Sequence, residues 1–324
     1  MTCNRREFLK GIVSAGLAVG AAGALPDTLR ALTSAGAAPA SDLATSPGSF
    51  DFVFFTDTHI QPELAAAKGC EMCFRKIASL KPEFAIHGGD HVFDALGVDA
   101  ARAARLYNLY KKTESSLQMP LYQAIGNHDA FGVRTKSGVS PRDPGYGKKL
   151  YEERMGKTYF SFAYQGYLFV VLDSVQPTED RLWEARIDDA QLDWLGGELR
   201  KAGPKAPVVV VSHVPLVSAF ASYAEKLSEP SKYSTVTLGN APQVMNLFEG
   251  HNILAVLQGH LHINEHVSYK STQYITNGAV CGNWWHGPRL GVAEGFTVVS
   301  LRNGKLSTRY ETYGFHCVDS REKS

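Results

Sequence analysis

The chain has 324 residues, 44% of them hydrophobic and 20% charged, with a formal net charge of +1. This is the composition of a globular protein with material for a sizeable core, which sets aside disordered and fibrous classes. The near-neutral balance also lacks the basic excess of a nucleic-acid-binding surface, so no nucleic-acid partner is expected.

Residues 1–40 stand apart from the rest. NRREFLKGIVSAGLAVGAAGALP places a basic start before an apolar stretch, and TSAGAAPAS follows, rich in small residues. That is the layout of a cleavable export signal. The run Gly11–Leu25 is short for a membrane span and full of Gly and Ala, so no stable span is expected after cleavage. Arg5, Arg6, Phe8, Leu9 and Lys10 resemble the twin-arginine export motif, with Asn4 where Ser or Thr is usual. The resemblance implies a bacterial protein handed folded to the twin-arginine translocation machinery, and hence a periplasmic or secreted location. It suits a protein that takes up metal in the cytoplasm. Cleavage after Ala24, Ala37 or Ala40 fits equally; without residues 1–40 the formal charge becomes −1. Residues 41–324 are expected to form a single domain, since no linker-like tract interrupts residues 50–315 and no internal repeat is visible.

Apolar, β-branched or aromatic runs predict strands at Phe50–Thr56, Phe84–Gly88, Leu121–Ile125, Tyr167–Leu172, Val208–Val211 and Leu254–Leu257. Three more follow at Gln273–Thr276, Gly295–Leu301 and Leu306–Tyr313. Helical stretches lie near Glu63–Leu80, Val98–Leu117, Asp188–Lys201 and Ala241–Phe248. Alternating strands and helices indicate α/β layers. The closing strands, without long helices between them, indicate a partly mixed or antiparallel sheet. Two long connections, Ala130–Lys157 and Val214–Gly239, are candidate binding loops. Cys70, Cys73, Cys281 and Cys317 remain after the signal and could form disulfides in an oxidising compartment. Cys70-x-x-Cys73 falls in a predicted helix without a second such pair, so helix packing is the favoured reading over a redox or zinc pair.

Polar residues collect at strand ends: Asp57 and His59 in TDTHI, Asp90 in GGDHVFD, Asn127, His128 and Asp129 in GNHDA, His213 in SHVP, and His260 and His262 in GHLH. The carboxyl ends of strands are where open α/β sheets build sites. Before His128 is counted, these segments offer four imidazoles, two carboxylates and one amide oxygen, a nitrogen and oxygen set suited to zinc, manganese or iron. Seven donors exceed one tetrahedral ion and match two divalent ions about 3.5–4 Å apart that share a carboxylate. Two carboxylates and one hydroxide would leave such a pair net positive, which favours a phosphate anion.

Taken together, Asp57-x-His59, Gly89-Asp90, Gly126-Asn127-His128-Asp129, His213 and Gly259-His260-x-His262 resemble the calcineurin-like metallophosphoesterase family, over roughly Phe50 to Leu301. QLDWLGGEL at Gln191–Leu199 resembles the helix these enzymes carry after their central sheet. The resemblance implies a four-layer α/β/β/α sandwich and a two-metal centre. By position, Asp57, His59 and His262 would hold the first ion, Asn127, His213 and His260 the second, and Asp90 both. His128 would face the substrate, steady the phosphoryl oxygens and protonate the leaving oxygen. The implied substrate is a small phosphoester, with cyclic-nucleotide phosphodiesterase-type members nearest in look, so a phosphodiester or nucleotide is favoured. A phosphomonoester or pyrophosphate-linked compound is the alternative, and a non-catalytic metal-containing binding protein is the alternative of another class.

The sequence departs from the family in one turn. Many members place an aspartate three residues after the bridging one; here that place is Phe93, and Asp94 comes one residue later. Phe93 also stands where purple acid phosphatases bind ferric iron through tyrosine, so a purple, tyrosinate-type enzyme is not expected. Either Asp94 or Asp129 is open as the acid that orients His128, and Asp129 is also a candidate turn cap. His91 is a candidate substrate neighbour. Asp173 is either a supporting carboxylate or a turn cap. In CGNWWHGP, Trp284 and Trp285 could stack on a nucleobase, line a lipid pocket, or plug the core.

Overall fold

The computed structural model describes residue 43, residues 46–223 and residues 232–320, all within one compact unit. The export signal assigned to residues 1–40 lies outside the described residues. Thirteen strands and five helices are described. The strands are β1 (Ser49–Phe55), β2 (Ala85–His87), β3 (Leu121–Gln123), β4 (Phe160–Tyr164), β5 (Tyr167–Leu172), β6 (Val175–Pro177), β7 (Trp183–Ala185), β8 (Pro207–Ser212), β9 (Asn252–Gln258), β10 (Glu265–Tyr269), β11 (Thr272–Thr276), β12 (Gly295–Arg302) and β13 (Lys305–Thr312). The helices are α1 (Ala66–Ser79), α2 (Ala100–Glu114), α3 (Lys149–Met155), α4 (Asp189–Ala202) and α5 (Ala241–Leu247).

The strands form two main sheets. The first has the order β13-β12-β1-β2-β3, with β1, β2 and β3 parallel and β12 and β13 antiparallel. The second has the order β10-β11-β9-β8-β5-β4, parallel through its centre and antiparallel at both edges. β6 and β7 pair as a separate hairpin.

Three layers of apolar side chains hold this together. Between the sheets lie Phe52, Phe54, Phe84, Phe169, Val209, Val211 and Leu257, all buried. Phe169 stacks on Phe162 at 4.8 Å and meets Phe52 and Phe84 edge-on at 5.4 Å each. On the outer face of the first sheet, α1 and α2 bury Phe74, Ile77, Leu106 and Tyr107. On the outer face of the second, α4 and α5 bury Leu195, Leu199 and Val244. Helix, sheet, sheet and helix are the four layers expected of the sandwich.

Local sequence explains the pieces. β5 and β8 are buried along their whole length, as continuous apolar runs in central strands must be. α1 buries Ala66, Gly69, Cys70, Cys73, Phe74 and Ile77, one helical stripe. Cys70 and Cys73 belong to that stripe and are free thiols, as are Cys281 and Cys317. α2 and α4 start at Asp99 and Asp188, whose side chains accept N–H bonds from Arg102 and Gln191. The unforeseen strands are β4 and β10, at the two edges of the second sheet, and the separate β6–β7 hairpin; β10 is largely polar and exposed and shows no apolar run.

Phe169→Ala should destabilise the protein by about 3–5 kcal/mol, because the intersheet aromatic cluster cannot collapse around the cavity. Asp188→Ala, which removes only a cap, should cost about 1 kcal/mol. Urea midpoints at unchanged m-values would check both.

Candidate metal centre

The parallel strands of both sheets end along one edge, and the loops that follow deliver the donors. Asp57 and His59 follow β1, Asp90 follows β2, Asn127 and His128 follow β3, His213 follows β8, and His260 and His262 follow β9. These loops are tied to one another by backbone. Asp57 and His59 donate their N–H groups to the carbonyls of Gly89 and Asp90, and Gly259 donates to His213. The approach is close enough to demand glycine at two points. A Cβ on Gly126 would lie 2.2 Å from the Asp90 N, and one on Gly259 would lie 2.3 Å from Thr56 Oγ1.

The donor atoms converge. Asp57 Oδ1 is 3.2 Å from His262 Nε2 and 3.6 Å from His59 Nε2. His59 Nε2 and His262 Nε2 are 3.2 Å apart. Asp90 Oδ2 lies 3.5 Å from His59 Nε2 and 3.2 Å from His213 Nε2, so it faces both halves of the site. Asn127 Oδ1 is 3.2 Å from His213 Nε2. Asp90, His213 and His260 offer donor atoms within 4.8 Å of one another, as do His59, Asp90 and His128.

In three of the four imidazoles a backbone carbonyl fixes the tautomer, while His59 Nδ1 is buried without a hydrogen-bond partner. Because a carbonyl only accepts, His213 Nδ1 donates to Gly88 O at 2.9 Å, and His262 Nδ1 donates to Gly282 O at 2.7 Å. Both leave Nε2 as the free lone pair. His260 is reversed: its Nε2 donates to Thr235 O at 2.7 Å, leaving Nδ1 free. Backbone-anchored imidazoles of this kind are what a metal centre requires.

The electrostatics also call for cations. Asp57 Oδ1 is buried and has no hydrogen-bond partner. Burial alone would raise the Asp57 carboxyl, yet His262 and His59 hold it well below the usual carboxylate range. Burial likewise opposes ionisation of Asp90, and His213, His128 and His59 overcome it. His213 shows the counterpart: against the effect of burial, Asp90 pushes it up to about 9. His260 is pulled down to about 4 by burial and by the neighbouring His213. A proton drawn onto one imidazole while its neighbour is driven neutral marks buried carboxylates that need positive charge where the donors meet. The donor set therefore fits two divalent cations.

The flanking residues sort themselves by contact. Asp129 is buried and receives N–H bonds from Asp90, His91 and Gly126 at 3.0, 2.8 and 2.9 Å. Through the Gly126 N–H it also caps the short turn Asn127–Asp129. Its carboxylate is thus occupied by backbone, the turn-cap alternative. Asp94 Oδ1 is the acid that faces His128, 3.7 Å from Nδ1, and its other oxygen takes Lys136 Nζ at 3.2 Å. His128 keeps its backbone N–H on Asp90 Oδ1 at 2.7 Å, and burial lowers its imidazole pKa. His91 is buried inside the fold, bonded to Asp129 at 2.9 Å and stacked on His87 at 3.8 Å. Asp173 caps its own turn through Val175 N and pairs with Lys148 at 2.6 Å.

The two tryptophans divide their roles. Trp285 is buried in the core. Trp284 is half-buried, its ring 4.1 Å from that of His59. Cys281 was readable in the sequence only as a possible disulfide partner. Here it is a free buried thiol, 3.7 Å from His262 Nδ1 and grouped with His59 and His262. Arg181 was also missed: it crosses from the β6–β7 hairpin to the carbonyls of Gly132 and Val133 and braces the loop that carries Lys136.

A sandwich of two sheets with convergent histidine and carboxylate donors at its strand ends defines a metal-dependent phosphoester hydrolase. The chain belongs to the calcineurin-like phosphoesterase family, whose profile matches residues 50–264. Among curated relatives it is 26% identical to the Serine/threonine-protein phosphatase CPPED1 of Bos taurus over 235 residues, 71% of this chain and 67% of that one. The Mus musculus protein of the same name matches at 26% identity over 71% of this chain and 68% of its own length. Among solved structures, a dimetal phosphatase from Danio rerio superposes with a TM-score of 0.55 at 15% identity, covering 82% of this chain and 99% of that one. GAP50, the anchor in the inner membrane complex of Plasmodium, superposes at 0.52 with 16% identity, covering 85% and 90%. These structural likenesses show the fold.

Chelated protein should melt lower than protein supplied with manganese, since a ligand bound only by the folded state stabilises it by about 2.7 kcal/mol at a hundredfold excess over Kd. Thermal scans with elemental analysis would check this, and Asp90→Ala should lose both the shift and at least one of two bound ions.

Proposed function

We propose that this protein is an exported dinuclear phosphoesterase that hydrolyses a phosphodiester or nucleotide-type substrate. The observation that carries the two-ion assignment is Asp90 Oδ2, which stands between His59 Nε2 and His213 Nε2 at 3.5 and 3.2 Å. Asp57, His59 and His262 would hold one ion, Asn127, His213 and His260 the other, and Asp90 both. Two such ions, as manganese, iron or zinc, supply Lewis acidity toward phosphoryl oxygens and make water a nucleophile at neutral pH.

The chain's own residues do the rest. Asp90 Oδ1 holds the His128 backbone, so the imidazole is fixed relative to the ion pair. Its Nδ1 is turned toward Asp94, which leaves Nε2 to steady a phosphoryl oxygen and to give its proton to the leaving oxygen. Two of the nearby loop cations are paired, Lys136 with Asp94 and Lys148 with Asp173, which favours a singly charged diester over a doubly charged monoester. The names of the mammalian relatives favour a second reading, a phosphoserine or phosphothreonine monoester.

Export rests on the twin-arginine motif at Arg5 and Arg6 and on the apolar stretch after it. It implies transient contact with the twin-arginine machinery and a periplasmic or secreted product.

With manganese bound, bis-p-nitrophenyl phosphate should be cleaved faster than p-nitrophenyl phosphate. No turnover of either with two ions bound would end the enzymatic reading, and the reverse ratio would select the monoester. His128→Ala should lower kcat by about 10²–10⁴-fold with metal content unchanged; loss of metal instead would show His128 to be a ligand. Arg5→Lys with Arg6→Lys should strand the folded protein in the cytoplasm, as cell fractionation would show.

A further inference from the structure

The turn Cys281–Pro288 is built to hold one ring in place. Trp285 is buried, packs 5.0 Å from Phe315, and donates its indole N–H to the His59 carbonyl at 3.1 Å. Trp284 and Trp285 both take positive φ, 56° and 70°, a backbone that bulky residues avoid unless their surroundings impose it. The anchored Trp285 thus sets Trp284 over the histidines. Its ring centroid lies 4.1 Å from His59, 5.1 Å from His262 and 5.1 Å from His128. Phe93 meets the same indole edge-on, at 5.8 Å and 81°. Phe93 occupies the place where many family members carry an aspartate, so a charged position has become one wall of an apolar corner. Both rings are half-buried, and the His128 side chain beside them keeps 21% exposure.

We propose that the Phe93–Trp284 corner is the leaving-group subsite and that it takes a planar aromatic group, an aryl ring or a nucleobase. The inference rests on the reading of His128 as the acid. The leaving oxygen must come within hydrogen-bond reach of His128 to take its proton, so the group attached to that oxygen lies beside the indole. As the phosphorus–oxygen bond breaks, its electron pair stays on the leaving oxygen and the proton passes from His128 to it; the oxygen of water becomes bound to phosphorus, the proton that water gives up goes to solvent, and solvent reprotonates His128. A flat ring gains stacked or edge-on contact with Trp284 and Phe93 that an aliphatic group of similar size does not.

Two measurements on the manganese-loaded protein test this. The first is equilibrium binding of phenylphosphonate against methylphosphonate, neither of which is hydrolysed, followed by tryptophan fluorescence and by calorimetry. The second is kcat/KM for bis-p-nitrophenyl phosphate against glycerophosphoethanolamine, whose leaving groups are aliphatic. Wild type should favour the aromatic member in both. Trp284→Ala and Phe93→Ala should each reduce that preference about three- to tenfold, the weight of one aromatic contact. Trp284→Phe should restore part of it, with circular dichroism and bound metal unchanged in all three. A preference left unchanged by both alanine variants, or none in wild type, overturns the inference while leaving the phosphoesterase reading intact. Phenyl-selective binding that depends on both rings, with no ester cleaved, would support the subsite and sink the catalytic reading instead.

Discussion

Much of this site hangs on one buried carboxylate that touches no substrate. Asp129 gathers the N–H groups of Asp90, His91, Val92 and Gly126 and the Nδ1 of His91. Those N–H groups belong to two turns that follow two different strands, β2 and β3. Without the carboxylate they would be buried donors lacking partners, each a loss of about 1–3 kcal/mol. With it, the turn that presents Asp90 and the turn that presents Asn127 and His128 become one piece. Asp90, Asn127 and His128 therefore share a single frame. That frame explains why the Asp90 carboxylate can spend one oxygen on the His128 backbone and aim the other between two imidazoles.

A second constraint is conformational. Asp57, His59, Asp90, His260 and His262 all adopt positive φ, at 56°, 37°, 58°, 72° and 57°. Five non-glycine residues in that region, each costing of order 1–3 kcal/mol, do not persist in a soft structure. The two sheets and their aromatic interlayer supply the rigidity. Part of the backbone strain thus falls at these strand ends, where side chains must turn inward toward one another, and is absorbed by a core that needs no polar chemistry of its own.

Much of this architecture could be read from the sequence. β5, β8 and β9 announce themselves as apolar runs, α1 as a stripe of Ala66, Cys70, Cys73 and Ile77, and the donors as polar residues stranded at the ends of those runs. What stayed hidden depends on contacts between segments far apart in sequence. β10 carries the polarity of an exposed edge and gives no periodic signal. Asp94 and Asp129 are both near His128 in sequence, and only folding shows that backbone consumes Asp129 and leaves Asp94 to face the imidazole. Trp284 and Trp285 are adjacent and chemically alike, yet consecutive positive φ values send one into the core and the other over His59. Arg181 is separated from the carbonyls it braces by more than forty residues.

The indole of Trp285 has a consequence that reaches into α1, which packs in the same cluster. A Cβ on Gly69, in the first turn of α1, would sit 2.2 Å from the indole ring, and the indole N–H is fastened to the His59 carbonyl. Helix, indole and the His59 backbone form a train of rigid parts with no slack. A side chain at position 69 would be felt as a displacement of His59, although position 69 carries no chemistry. The glycine is therefore a spacer whose size is set by the metal centre, and the stretch of chain able to change freely in this protein is shorter than a map of its donor residues would indicate.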